Sequence, residues 1–277
     1  MRHSTWTAIE SYPAALWLYR SYRKLPDGIR APARWLLMPR WYFAVGRVRM
    51  AAKNTVRSGP FAGTRLNLAP LSNRHLLSYL LGTYEMELWD VIERIASAGY
   101  STVINIGAGD GYYLMGLARR LPTARMVGFE MLAENRRLLQ EAAAANGVAD
   151  RVRLDGYCTT GDLQRALAGA AGRRLIVCDI EGNEAYLLDP SRIGDLRTVD
   201  MLIETHDDFC HNCTGILIDR FSCSHRVERI LARPRTLADF PRHVHPLLGV
   251  FMPKTAVELI NERRSGAQQW LFLTALR

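Results

Sequence analysis

The stretch Thr102–Met131, TVINIGAGDGYYLMGLARRLPTARMVGFEM, restricts the fold more than any other part of the chain. Val103 to Ile106 is a short apolar run that stops at a turn signal, as a buried parallel strand does. Gly107, Gly109 and Gly111 then alternate with small or polar residues. Glycine allows positive φ and a close approach of backbone to a ligand. Leu114, Leu117, Ala118 and Leu121 follow at helical spacing. The N-terminus of that helix presents free N–H groups to whatever occupies the turn. A second strand, Met126 to Phe129, ends in Glu130 and Met131. A carboxylate at that point is placed to accept from ribose hydroxyls.

A dinucleotide fingerprint requires a third glycine at position 112, where Tyr112 stands. The observed Gly-x-Gly-x-Gly, with the polar Asn105 before it, resembles motif I of the class I S-adenosylmethionine (SAM) methyltransferases. In that motif the position of Asn105 is usually acidic. NAD, FAD and a glycine turn without a ligand are the competing readings of this block.

The charge is unevenly distributed. Residues 1–57 hold eleven Lys/Arg and only Glu10 and Asp27 as acids, and so carry the whole formal charge of +9. The remaining residues are balanced, with 25 of each sign. The sequence therefore divides into a basic, aromatic-rich helical extension over 1–57 and a main domain over 58–277. Pro13, Pro26, Pro32 and Pro39 break the extension into short pieces, with helical patterns at 14–23 and 33–38. Its plainest role is packing on the main domain. Its arginines and aromatics also suit peripheral membrane contact or homodimerisation, while nucleic acid is disfavoured. No run of about 18 apolar residues and no signal-peptide core is present, so a cytoplasmic protein is expected, with peripheral residence at the inner membrane as the variant. The five cysteines, Cys158, Cys178, Cys210, Cys213 and Cys223, are expected as thiols. Cys210-x-x-Cys213 lacks a second Cys pair, so structural zinc is disfavoured.

Along the main domain, Thr64–Leu68 reads as a short strand, and helical spacing runs from Leu76 to Ile95. Ala133–Ala145 is an amphipathic helix stopped by Asn146-Gly147. Val152–Leu154 is a third strand, Asp162–Ala170 a helix, Arg174–Cys178 a fourth strand and Val199–Ile203 a fifth. Gly215–Phe221 reads as a helix and His225–Leu231 as a strand. The proline-rich insertion within 233–265 is an irregular loop that could reach the substrate, with a helix from Lys254 to Arg263. Gln269–Ala275 closes the sheet.

Two strands deliver acids to one edge. The fourth ends in Asp179-Ile-Glu181-Gly-Asn-Glu184, and the fifth in Glu204-Thr-His206-Asp207-Asp208. Open α/β sheets bind ligands at the carboxyl ends of their strands. Histidine titrates near neutrality, so His206 is the candidate general base, oriented by Asp179 or Glu204.

CDIEGNE at 178–184 and IETHDD at 203–208 resemble the FkbM-type methyltransferases, and with the glycine block the resemblance spans residues 76–232. It implies a Rossmann-like, seven-stranded, mostly parallel sheet with helices on both faces and a last antiparallel strand. It implies SAM as cofactor and O-methyl transfer to a hydroxyl of a sugar or natural-product-like small molecule. By position, Asn105, Gly107, Gly109 and Gly111 would face SAM, Glu130 and Met131 its ribose, and Tyr157 and Cys158 its adenine. Tyr84 and Glu85 would stand on the wall before the first strand. Asp179 would lie by the cofactor amino group or the acceptor, and Glu181, Glu184 and Asp207 at the acceptor. No metal is required, although Asp179, Glu204, His206 and Asp207 would suit Mg²⁺. Two further readings stay open: intramolecular cyclisation of SAM, and a catalytically silent interaction protein of the same fold.

Overall fold

The computed structural model describes residues 39–67, 76–262 and 268–276. The helical patterns expected at 14–23 and 33–38 lie outside these residues, as do Leu68 and Arg263.

Seven strands form one sheet. They are β1 (Thr102–Ile106), β2 (Arg125–Phe129), β3 (Val152–Asp155), β4 (Arg174–Cys178), β5 (Asp200–Thr205), β6 (His225–Leu231) and β7 (Gln269–Ala275). Their order is β3-β2-β1-β4-β5-β7-β6. The first five pair in parallel, and β7 runs antiparallel between β5 and β6. This is the expected Rossmann-like sheet, and its strand order reverses between β1 and β4.

Every residue of β1 is buried. Alternation along the strands sorts their side chains into two cores. Val103, Leu175, Val177, Leu202, Trp270 and Phe272 pack on one face, with Leu114 and Leu117 of the helix Tyr112–Arg120. Ile104, Ile106, Ile176, Met201, Ile203 and Leu271 pack on the other, with Leu163, Leu167, Leu217 and Phe221. Two buried faces explain why these strands read as unbroken apolar runs.

Several local expectations need correction. The stretch 64–67 is no strand; Arg65 makes one isolated antiparallel bridge to Thr55. The helical run from Leu76 breaks after Leu81 and resumes at Trp89. Gly82 sits there at φ +75°, and a Cβ on it would lie 1.9 Å from the Ser58 carbonyl oxygen. Docking against residue 58 therefore overrides helix propensity. The helix expected over 162–170 begins at Thr160, because Thr159 and Asp162 form a capping box. The helix expected from Gly215 begins at Cys213.

The insertion is also more regular than its prolines imply. It contains short helices at Pro246–Phe251 and Pro253–Ile260. Their inner side packs with Ala44 and Val48 of the helix Pro39–Ala52. A buried charge cluster fastens the insertion to the segment before β1. Arg235 lies 2.7 Å from Glu87 Oε2 and also donates to Glu262, and all three side chains are at most 5% exposed. Glu262 in turn accepts from the Glu85 backbone N–H at 3.1 Å. Removing one member of such a cluster leaves an uncompensated buried charge. Arg235→Ala should therefore lower unfolding free energy by about 3–5 kcal/mol in urea titration. A change below 1 kcal/mol would exclude this fastening role.

Candidate active site at the carboxyl ends of the parallel strands

The reversal of strand order opens a crevice between the ends of β1 and β4, and the glycine turn fills its base. Gly107 and Ala108 donate their N–H groups to the Phe129 carbonyl, each at 2.9 Å, while Asp179 N–H donates to Ile106 O at 3.0 Å. Gly107 has φ +79°, and a Cβ there would fall 1.8 Å from the Asp179 carbonyl oxygen. Only glycine allows the two strand ends to approach so closely. Gly109 is also at positive φ, but nothing lies within 4 Å of its Cβ direction. Gly111 begins the helix Tyr112–Arg120 in the left-handed region.

Glu130 closes the turn from the side. Its Oε2 accepts from Gly109 N–H at 2.9 Å and its Oε1 from Leu132 N–H at 2.8 Å. Oε1 also accepts from Asn135 Nδ2 at 3.4 Å, so Oε2 is the oxygen with a further lone pair for a ligand. The neighbouring cleft has a volume of about 360 Å³, within the ordinary range for small-molecule sites. Of the residues singled out from sequence, Gly107, Glu130, Met131, Tyr157, Cys158, Asp179 and Glu181 line it. Sequence reasoning missed Ile180, Asn183, Tyr186 and Leu187, which complete the wall. The helical spacing of Tyr186 and Leu187 after the acid run was their only signal. Met131, Tyr157 and Tyr186 are well exposed at the cleft. Burial, aided by Asp162 and Asp155, pushes the Cys158 thiol up to about 12, which disfavours the thiolate.

The other predicted residues lie beside or behind this cleft. Tyr84 packs edge-on to Tyr79 and Tyr112. Glu85 is fully buried in left-handed backbone and accepts from the Tyr113 hydroxyl. The pair thus braces the helix that follows the glycine turn and does not line the cleft. Tyr79 lies within electrostatic reach of Asp110, Glu85 and Asp179, and burial reinforced by these carboxylates holds its hydroxyl far above the usual range. Asn105 donates from Nδ2 to Val177 O at 3.3 Å across the strand pair.

The acids of the second block separate into distinct roles. Glu184 is expected at the acceptor, yet its side chain is fully buried behind the site. Its Oε1 accepts from Ile180 and Gly182 N–H and lies 2.8 Å from His206 Nδ1. Burial acts to raise the pKa of Glu184, but the bonds from His206 and the backbone outweigh it and hold it below its ordinary value. An ionised carboxylate only accepts, so His206 Nδ1 carries the proton. Nε2 is left with its lone pair, 3.7 Å from Asp179 Oδ1 and 3.6 Å from Glu181 Oε2. Glu181 reaches this position from left-handed backbone at φ +55°.

Glu204 does not supply the carboxylate bonded to the His206 ring. It hydrogen-bonds Asp179 instead. Asp207, expected at the acceptor, accepts from Thr214 N–H at 2.9 Å and from Gln269 Nε2 at 3.0 Å. It is spent on fixing the helix Cys213–Phe221 to β7. Cys213 points its thiol at Glu184, and His225 binds the Val199 carbonyl.

The titration of the site follows from this arrangement. Burial, with Glu181 adding to it, pushes the Asp179 carboxyl up to about 6 against the pull of His206 and Glu204. Burial draws His206 down, but Glu184, Asp179 and Glu181 together raise it above its ordinary value. Asp179 Oδ1 is buried without a hydrogen-bond partner. Asp179, Glu181 and His206 each offer a metal-ligating atom, all within 4.8 Å of one another.

No protein-family profile and no curated protein matches the chain. Among solved structures, the O-methyltransferase TomG from Streptomyces achromogenes in complex with SAM is 14% identical, with a TM-score of 0.43 over 82% of this chain and 89% of that one. The O-methyltransferase from Bacillus cereus in complex with SAH is 12% identical, with a TM-score of 0.42 over 84% and 90%. Fibrillarin from Methanococcus jannaschii is 10% identical, with a TM-score of 0.41 over 65% and 68%. At these identities and TM-scores the likeness transfers no residue, ligand or role to this chain.

The two glycines make contrasting demands. Gly107→Ala should lower the thermal midpoint sharply because its Cβ meets backbone, whereas Gly109→Ala should cost only the φ penalty of about 1 kcal/mol. Equal midpoints in differential scanning calorimetry would contradict the close approach of β1 and β4.

Proposed function

We propose that this protein is a SAM-dependent methyltransferase acting on a hydroxyl of a small molecule, with His206 as general base. The observation that carries the proposal is the His206 ring, bonded through Nδ1 to buried Glu184, with Nε2 3.7 Å from Asp179 and 3.6 Å from Glu181, two acids that line the ligand-sized crevice. The FkbM-type resemblance favours a sugar or natural-product-like acceptor.

The residues present fit SAM. Asp179 Oδ1 is a buried acceptor without a donor, which suits the ammonium of an amino-acid moiety. Glu130 Oε2 retains a lone pair for a ribose hydroxyl, and Tyr157 and Met131 offer apolar surface to a purine. When bound, SAM supplies a methyl group activated by an adjacent sulfonium. The cleft walls hold the acceptor and limit water, and positioning of this kind accounts for much of such a rate enhancement. His206 Nε2 takes the hydroxyl proton, while Glu184 holds the ring orientation and stabilises the imidazolium that forms.

His206→Ala should lower turnover at least about a hundredfold and leave SAM affinity by isothermal titration nearly unchanged. Unchanged turnover would exclude His206 as the base. Absence of SAM binding to the parent protein would sink the enzyme reading in favour of an interaction protein. Release of 5′-methylthioadenosine in place of S-adenosylhomocysteine would indicate cyclisation of SAM.

The pH profile gives a separate check on Glu184. Only neutral His206 accepts a proton, and its pKa lies above the ordinary 6.5. The rate should therefore rise with pH through a value above 6.5. Glu184→Gln removes the charge that favours the imidazolium, so the acidic limb should shift to lower pH while kcat falls. An unmoved limb would reduce Glu184 to a structural role.

A second reading has its own observation. Asp179, Glu181 and His206 converge closely enough to hold a divalent cation, with Glu184 as the outer carboxylate that orients the histidine. Bound there, Mg²⁺ would lower the acceptor pKa. Activity that survives exhaustive EDTA treatment selects the base. Activity that is lost and then restored by added Mg²⁺ selects the cation.

A further inference from the structure

A second surface, built from elements the proposed chemistry does not use, carries a cluster of exposed cations. In the helix Pro39–Ala52, Ala44 and Val48 face the protein. Arg40, Phe43, Arg47 and Met50 recur at three- and four-residue spacing on the opposite side, and all four are exposed. Phe43 is 58% exposed and Met50 70%. The short helix Pro246–Phe251 has a related inversion. Leu248 and Gly249 are buried, while Leu247, Val250 and Phe251 stand out at 57%, 66% and 75%. The two elements are neighbours: Arg47 Nε donates to Nε2 of His245, the residue before the second helix, at 3.3 Å.

Neither segment contains an acid. Residues 39–57 hold exposed Arg40, Arg47, Arg49, Lys53 and Arg57 without one Asp or Glu. Residues 240–257 add exposed Arg242 and Lys254, again with no acid. Single exposed apolar residues are ordinary, but five on adjacent elements among seven cations are a surface with a partner.

We propose that this face docks the protein peripherally on an anionic lipid surface, with Leu247, Val250, Phe251, Phe43 and Met50 entering the interface and the cations meeting lipid headgroups. The chemistry selects lipid over the other occupants. A nucleic acid would satisfy the cations but leave aliphatic Leu247, Val250 and Met50 against phosphate and water. A second copy would bring two cation-rich faces together across a two-fold axis, where like charges repel. Lipid satisfies both components, since each cation near an anionic leaflet and each inserted apolar group adds to the affinity. None of the described helices is long and apolar enough to cross a membrane, so the attachment is peripheral.

The test is co-sedimentation of the full chain with vesicles of phosphatidylcholine alone or mixed with phosphatidylglycerol. Binding is expected to the mixed vesicles only, weakening several-fold as NaCl rises from about 0.1 M to about 0.5 M. Leu247→Ser/Val250→Ser/Phe251→Ser retains every cation and should weaken that binding at least roughly tenfold. Arg40→Gln/Arg47→Gln/Arg49→Gln should weaken it comparably. Both sets of changes are on exposed side chains, and unchanged thermal midpoints and SAM titrations would show that the variants are folded. Absence of vesicle binding, equal binding to phosphatidylcholine alone, or full binding by the serine variant would each overturn the proposal. So would tight binding to a single-stranded RNA oligonucleotide without vesicle binding. A dimer in sedimentation velocity, abolished by the serine changes and accompanied by no vesicle binding, would assign the face to a second copy.

Discussion

The structure depends on one close approach, that of the Gly107 backbone to the Asp179 carbonyl. It joins the ends of β1 and β4 where the strand order reverses, and no side chain larger than hydrogen fits between them. The glycine turn can then donate to Phe129 on one side and receive the β4 loop on the other. Its consequence is chemical. The carboxylates that follow β4 stand next to the turn, and the histidine that follows β5 stands next to the carboxylates. A parallel sheet always presents its strand ends on one edge, but this contact brings two of those ends within bonding distance.

Charge is buried in two places, and each burial has a different effect. Around Arg235 it fixes architecture, because Glu87 and Glu262 come from the two segments that must meet to place the insertion. Around His206 it adjusts proton affinity. Glu184 is ionised inside the protein because backbone N–H groups and the imidazole solvate it, and that ionisation determines which ring nitrogen carries the proton. Asp179 has no comparable set of donors. Its carboxyl rises to about 6, and one of its oxygens has no donor. A paired acid and an acid without a full set of donors thus stand on either side of one histidine.

The exposed apolar residues also divide in two. Met131, Tyr157 and Tyr186 border the cleft, where a planar ligand would cover them. Phe43, Met50, Leu247, Val250 and Phe251 lie on helices that contribute nothing to the cleft lining. Their cations and absence of acids make the surface electrostatically distinct from the balanced remainder of the main domain. The proposed reaction and the proposed lipid docking thus rest on separate faces of one chain.

Much of this was legible in the residues. The apolar runs of β1, β4 and β5 are unbroken because both sheet faces are covered, and such runs identify themselves. The glycine spacing, with Tyr112 where a third glycine would stand, favours a SAM-like over a dinucleotide-like turn. The acids and His206 were identifiable because they abut buried strands. The break at Gly82 was not legible, because its cause is the Ser58 carbonyl, more than twenty residues away. The partner of His206 was not legible either. Glu204 is nearer in sequence, but Glu184 reaches the ring from the turn after β4 and lies 2.8 Å from its Nδ1. The family resemblance places Asp207 at the acceptor, while its actual bonds go to Thr214 and Gln269. The pairing of the helix at 39–52 with the helix at 246–251 is a contact across some 200 residues. Sequence by itself determined which residues are apolar, glycine or ionisable, and hence the sheet and the edge that carries chemistry. Tertiary structure alone decided which charge faces which, because hydrogen bonds and ion pairs form by distance in space, and distance along the chain does not encode it.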